Sequence, residues 1–281
     1  MKVSGFTFCR NAVKYDYPIV ESIRSALPVC DEFIVNVGRC DDGTLELIRS
    51  IADPKIKIVE SVWDDSLRKD GLIYSQQTNI ALAQCTGDWA FYIQADEVVH
   101  EDDLPIIRQS MQRHLGNPAV KGLLFRYLHF VADYWSTNPW FYHKAVRIIR
   151  NNGEVESCGD AVGFHFKPTQ RYLQSGPKEW LASSGARMFH YGWVKDPQTL
   201  LSKKREQADK HHGDSLPAEE AAALAHPTFH FDDYAILKEF RGTHPGVMQA
   251  RVKAASRWAS RTSRWLNWRF YREVAHRGYR G

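Results

Sequence analysis

The feature that most constrains this chain is the alternation of short apolar runs and amphipathic stretches across its first hundred residues. Val3 to Cys9 reads as a β-strand. Tyr17-Pro18 then opens a helical stretch, with Pro near the first turn and Ile19, Ile23 and Leu27 at helical spacing. Phe33 to Val37 is a second strand, and in the polar loop after it Asp42 or Thr44 can cap a helix carrying Leu45, Ile48 and Ile51. Ile56 to Val59, a helical run from about Leu72 to Cys85, and Trp89 to Ile93 continue the pattern. Repeated βα units of this length imply a mostly parallel sheet with helices on both faces. Ligands of such sheets bind beyond the carboxyl ends of the strands. The polar residues found there are Arg10-Asn11, Asp41-Asp42, Trp63-Asp64 and Gln94 to Glu97, so four strand ends converge on one rim.

After Asp102 the pattern changes. A helix over Leu104 to His114 precedes longer runs of strand character: Gly122 to Val131, Ala145 to Arg150 and Arg187 to Trp193. Turns such as Asn151-Asn152-Gly153 separate some of them. This predicts an antiparallel or mixed portion beside the first sheet, in the same domain. From about Asp196 the chain is helical and polar, and its last thirty residues are basic and aromatic. The expected organisation is one α/β domain over residues 1–210 and a helical, basic-aromatic extension over 211–281.

Composition narrows the function classes. A net charge of +4 suits small polyanions such as nucleoside diphosphates, and no nucleic-acid-binding motif accompanies it. The five cysteines are widely spaced, odd in number and without a CxxC pair, which argues against a disulfide framework or zinc ribbon and for a reducing compartment. No apolar stretch reaches the ~18 residues of a membrane span, and Met1-Lys2-Val3 leads straight into a strand that soon meets Arg10. A cytoplasmic protein is expected. The nine Trp residues suit sugar sites and ordinary packing alike.

The segment Trp89-Ala-Phe-Tyr-Ile-Gln-Ala-Asp-Glu97 is an apolar strand ending in a tight acidic loop. It is read either as a seat for a hard, oxygen-preferring cation or as a solvated turn before the next helix. In company with two other segments it becomes specific. Phe8-Cys9-Arg10-Asn11, the stretch Asp31 to Thr44 with its Asp41-Asp42-Gly43-Thr44 loop, and Gly87-Asp88-Trp89 running into Gln94-Ala95-Asp96-Glu97 resemble, in order and spacing, family 2 glycosyltransferases. The likeness is to the bacterial branch related to lipopolysaccharide-core glucosyltransferases. It covers roughly residues 3 to 100, and a weaker match continues through Arg147 to His190-Tyr191-Gly192-Trp193.

The resemblance implies a GT-A fold, in which a mixed Rossmann-like sheet is flanked by helices. It also implies transfer of a sugar from a UDP- or GDP-sugar, with Mn²⁺ or Mg²⁺ carrying the donor diphosphate. By position, Cys9, Arg10, Asn11 and Asp42 would line the nucleotide pocket. Asn79, Gln94, Ala95, Asp96 and Lys203 would complete the donor site, although an exposed helical face suits Lys203 and Lys204 as well. Asp96 would bind the metal directly and His190 would be a further ligand. Gln94 stands where the family has an acidic residue, as Val37 and Cys40 stand where it often has Asp and Ser. Gln can hydrogen-bond but contributes no charge, so weaker metal binding is expected.

An inverting transferase needs a carboxylate to take the acceptor hydroxyl's proton. Asp160 fits the position by resemblance, Glu156 is the alternative, and Glu97 faces the same rim. The acceptor would be a saccharide or lipid-linked saccharide in envelope polysaccharide or lipopolysaccharide assembly. The stretch Arg251 to Arg280 interleaves Arg with Trp258, Trp265 and Trp268 and contains one acid, Glu273. It suits peripheral contact with the inner face of an anionic membrane, or packing against the domain. Two other readings are a sugar-nucleotide pyrophosphorylase, which lacks a Gly-rich phosphate loop after the first strand, and a non-catalytic nucleotide- or membrane-binding domain.

Overall fold

The computed structural model describes residues 1–229, 231 and 237–258 of the 281. Most of the basic-aromatic C-terminal stretch, from residue 259 on, lies outside the described residues.

The N-terminal half follows the alternating pattern. Strands β1 (Val3–Cys9), β2 (Glu32–Gly38), β3 (Ile56–Ser61) and β4 (Trp89–Tyr92) pair in parallel in the order β3-β2-β1-β4. Central β1 and β2 are buried on both faces and therefore read as near-continuous apolar runs. Edge strand β3 is only half-buried.

Alternation along β1 divides the core. Val3 and Cys9 face helices α1 (Ile19–Ala26) and α2 (Thr44–Arg49) on one side. Phe6 faces helix α3 (Leu72–Leu82) on the other.

The second half extends this sheet as a mixed one. Helix α4 (Leu104–His114) follows the three-residue strand β5 (Glu97–Val99). Strand β6 (Gly122–Val131) leads through β7 (Ser136–Thr137) to β8 (Lys144–Arg150). β8 lies antiparallel to β4, and β6 antiparallel to β8. A separate three-stranded sheet, β9 (Val155–Cys158), β10 (Gly163–Phe166) and β11 (Arg171–Tyr172), covers the α3 side with Phe164 at its centre.

The long strand β12 (Leu181–Trp193) is parallel to β6 and antiparallel to β5. Its register sets His190 opposite both Glu97 and His129, so a late strand returns to the turn at the end of β4. Helix α5 (Pro197–His212) begins at Asp196, whose carboxylate accepts from the Gln198 and Thr199 N–H groups, with Pro197 in the first turn. Beyond α6 (Ala218–Ala225), strand β13 (Lys238–Glu239) pairs with β7. Arg251 of α7 (Gln249–Ala254) bonds Asp16 and Glu21, which fastens this part of the C-terminal stretch to the α1 side. No helix among the described residues is long and apolar enough to cross a membrane.

Candidate active site

A cavity of about 440 Å³ opens at the carboxyl ends of the parallel strands, with α5 as one wall. One end is aromatic. Phe8 at the close of β1 lies 6.1 Å from Tyr74, and the Arg10 guanidinium lies 5.3 Å from the Trp63 ring centroid. Gly38 gives Trp63 its place, since a Cβ there would overlap the indole. Arg10 is held by Asp65 at 2.8 Å, and Asp65 is also bonded by Lys210 of α5. The buried Arg10 Nε and Trp63 Nε1 atoms have no hydrogen-bond partner among the described residues.

The turn Gln94 to Glu97 forms the middle of the cavity. Its shape is set by an ion pair with no solvent exposure: Arg147 Nε and Nη2 each lie 2.8 Å from the Glu97 carboxylate oxygens. Tyr127 donates its hydroxyl to Glu97 at 2.7 Å, and the Gln94 N–H donates to it at 3.0 Å. Glu97 is thus a structural acid inside the fold, not the rim residue expected from sequence. Its charge could be buried only because Arg147 meets it there.

Asp96 projects the other way, into the cavity, where it is 7 % exposed. Lys203 Nζ lies 3.0 Å from Asp96 Oδ2 and 3.1 Å from the Gly192 carbonyl, and His190 Nε2 lies 3.7 Å from Asp96 Oδ1. Burial would raise the Asp96 carboxyl, but Lys203 outweighs it and holds the group well below the ordinary range. His190 is pushed down by its own burial, so the lysine rather than the imidazole balances Asp96. A second buried lysine, Lys195, donates to the Asp16 carbonyl at 2.7 Å and lies over Tyr17; burial, then Lys203, lowers it to about 7. Lys203 therefore does not sit on the exposed helical face that its polar surroundings suggested.

Gly192 makes this convergence possible, because a Cβ there would overlap Asp96 Oδ2 and lie 2.7 Å from His190 Cε1. Gly192→Ala is expected to cost about 1–3 kcal/mol by overpacking, read as a shift of the urea unfolding midpoint at unchanged slope. An unshifted midpoint would mean that the turn has slack.

Asp160 is exposed and lines the cavity. Its loop is docked onto the central turn: Gln94 Nε2 donates to the Ala161 carbonyl at 3.3 Å and Arg147 Nη1 to the Val162 carbonyl at 2.9 Å. Gly71, at φ +66°, closes against it, since a Cβ there would lie 2.8 Å from Asp160 Cβ and 2.9 Å from His211 Cε1.

Of the residues singled out from sequence, Cys9, Arg10, Gln94, Ala95, Asp96, Asp160, His190 and Lys203 meet around this one cavity. Four do not line it. Asp42 accepts from the Thr44 and Lys14 N–H groups and ties two loops together. Asn79 clamps the Ser157 backbone from both sides. Glu156 bonds His165 Nε2 at 2.7 Å within the small sheet. Asn11 serves its turn with a left-handed backbone, φ 55°, and a carbonyl bonded by the Tyr15 N–H. Sequence reasoning missed Glu206 of α5 and its partner Tyr15, which line the cavity and hydrogen-bond each other across 191 residues of chain. It gave the lining residues Tyr17, Tyr142 and Trp193 no role there.

The donor set around Asp96 fits a resident divalent ion poorly. Such ions take about six oxygen-rich ligands, and among the described residues no three of His, Cys, Asp or Glu come together as a metal site. The Gln94 amide is already engaged by Ala161 and Arg147. The ammonium bonded to Asp96 offsets the attraction that its carboxylate alone would exert on a divalent ion.

The profile described as Glycosyl transferase family 2 matches residues 7–173, more than half of the chain. The chain belongs to glycosyl transferase family 2, and its mixed sheet flanked by helices is the GT-A fold of that family. No curated protein matches it. Among solved structures it is similar to S. aureus TarS, at 14% identity over 74% of this chain and 39% of that one, with a TM-score of 0.42. TarS 1–349 in complex with UDP-GlcNAc aligns at 13% identity over 80% and 70%, with a TM-score of 0.43. Glucosyl-3-phosphoglycerate synthase from Mycobacterium tuberculosis, in complex with Mn²⁺, UDP and phosphoglyceric acid, aligns at 18% identity over 46% and 43%, with a TM-score of 0.32. The chain thus spans less than half the length of TarS and of the synthase.

Proposed function

We propose that this protein transfers a sugar from a nucleoside diphosphate donor to the hydroxyl of a saccharide or lipid-linked saccharide acceptor, with inversion at the anomeric carbon. The observation that carries the reading is the convergence of three kinds of group on one cavity. A cationic-aromatic wall (Arg10, Trp63) suits a nucleobase and ribose, a buried charged centre (Asp96, Lys203) suits the diphosphate, and an exposed carboxylate (Asp160) lines the same cavity. The acceptor oxygen bonds to the anomeric carbon as the bond to the diphosphate oxygen breaks, and Asp160 takes the hydroxyl proton. Assignment to cell-envelope polysaccharide or lipopolysaccharide assembly rests on the motif likeness of residues 3 to 100. The cation expected with that likeness is not part of the proposal, because Lys203 already neutralises Asp96.

The test is thermal stabilisation by UDP, GDP and CMP at 1 mM, each in EDTA and in Mn²⁺. A nucleoside diphosphate present at about 100 times its dissociation constant contributes about 2.7 kcal/mol, which corresponds to a rise of several degrees in the midpoint. If no nucleotide shifts the midpoint under either condition, the cavity is not a donor site.

A further inference from the structure

We propose that Lys203 stands in for the divalent cation, so that donor binding and sugar transfer proceed without a metal. The inference rests on the donor-site reading above and says which group meets the diphosphate.

Charge is the first argument. Two acidic residues at such a turn would leave a site of −2, which a divalent ion neutralises. Here Glu97 is consumed by Arg147, Gln94 is uncharged, and Asp96 is the only carboxylate that the turn presents to the cavity. Lys203 brings that carboxylate to zero, with Lys195 buried behind it. A diphosphate entering this site meets an ammonium already in place, whereas a divalent ion would find the one carboxylate of the turn already neutralised.

The second argument is hydrogen-bond capacity. A lysine ammonium has three donors and no acceptor. Two are directed at Asp96 Oδ2 and the Gly192 carbonyl, which leaves a third for a phosphate oxygen. Lys203 is 6 % exposed yet lines the cavity, so its charge is desolvated and its reach is into the site. Charge-assisted bonds to phosphate are the strong ones.

The third argument is placement. Lys203 is not a surface lysine that happens to fold inward. Asp196 caps the start of its helix, Leu200 and Leu201 are buried, and Lys210 and Asp209 bond Asp65 and Arg68 further along. The helix register is therefore fixed on both sides of the residue. When the bond from the anomeric carbon to the diphosphate breaks, its electron pair passes to the diphosphate oxygen, and a preplaced ammonium stabilises the charge that develops there. Asp96 acts as a positioning residue that holds the ammonium.

The experiment is isothermal titration of wild type and Lys203→Met with UDP, GDP and uridine, in EDTA and in Mn²⁺, with free Mn²⁺ followed by its EPR signal. In wild type, affinity for the preferred diphosphate should agree within about twofold between the two conditions, and adding protein should leave the Mn²⁺ signal that of a matched protein-free solution. Lys203→Met should lose diphosphate affinity by tenfold or more while uridine affinity stays unchanged, a difference that a merely structural lysine would not produce. Because the variant leaves Asp96 buried without its partner, Asp96→Asn/Lys203→Met is measured beside it and should show the same diphosphate-specific loss. Wild-type binding that requires Mn²⁺, or undiminished diphosphate affinity in both variants, overturns the proposal. A wild-type protein that binds no diphosphate in either condition removes the donor-site reading itself and the present inference with it.

Discussion

Arg147→Met is expected to destabilise the protein by about 3–5 kcal/mol, because breaking a buried pair leaves the other charge unpaired in the interior. For a chain of this length that corresponds to a fall in thermal midpoint on the order of 10 °C. Arg147 and Glu97 are both fully buried, and the guanidinium also bonds the Val146 and Val162 carbonyls and lies between the Tyr92 and Tyr127 rings. Methionine can replace the volume of the stem but none of these donors. The loss should extend to ligand binding, since one side chain fixes the turn that aims Asp96 and the loop that carries Asp160. Arg147→Met/Glu97→Gln should recover part of the stability, as the stranded charge is gone while the new amide oxygen can still accept from Tyr127. If the single variant unfolds within about 1 kcal/mol of wild type, Glu97 has found water, and the pair does not organise the site.

The parallel half of the fold was legible because strands buried on both faces are written as continuous apolar runs, as in Phe33 to Val37 and Trp89 to Tyr92. The rim followed from those strands, since ligands gather at their carboxyl ends. Buried charge was not legible. Glu97 and Asp96 are neighbours in one acidic turn, yet they point to opposite sides, and their partners lie 50 and 107 residues further along the chain. Nothing local distinguishes them. The same holds for Lys203, which lies in a polar helix and is buried only because a carboxylate waits at the end of β4. Asp42 and Asn79 show the converse. Short polar side chains near a rim can face a ligand or tie backbone together, and here their oxygens are spent on Thr44, Lys14 and Ser157. Pairing of a three-residue strand such as β5 with the late strand β12 likewise left no periodic trace, though it is what brings His190 to Asp96.

Asp160→Asn is expected to lower kcat by 10²- to 10⁴-fold, the range that a positioned general base supplies, with nucleoside diphosphate affinity unchanged. The substitution removes the proton acceptor and little else. Asp160 is exposed, its Oδ1 accepts from the Val162 N–H at 3.2 Å, and an asparagine oxygen can keep that bond. Folding should therefore be within about 0.5 kcal/mol of wild type, as for other surface replacements. Two carboxylates serve as comparisons. Glu156→Gln should leave kcat nearly unchanged, because Glu156 bonds His165 outside the cavity. Glu206→Gln is the sharper one, since Glu206 lines the same cavity with its carboxylate hydrogen-bonded by Tyr15. The Tyr15 hydroxyl donates to this carboxylate and holds it in a tie between α5 and the loop after β1, so a loss below tenfold is expected. If Glu206→Gln instead abolishes transfer while Asp160→Asn leaves it intact, proton abstraction belongs to α5 and not to the loop that Arg147 holds.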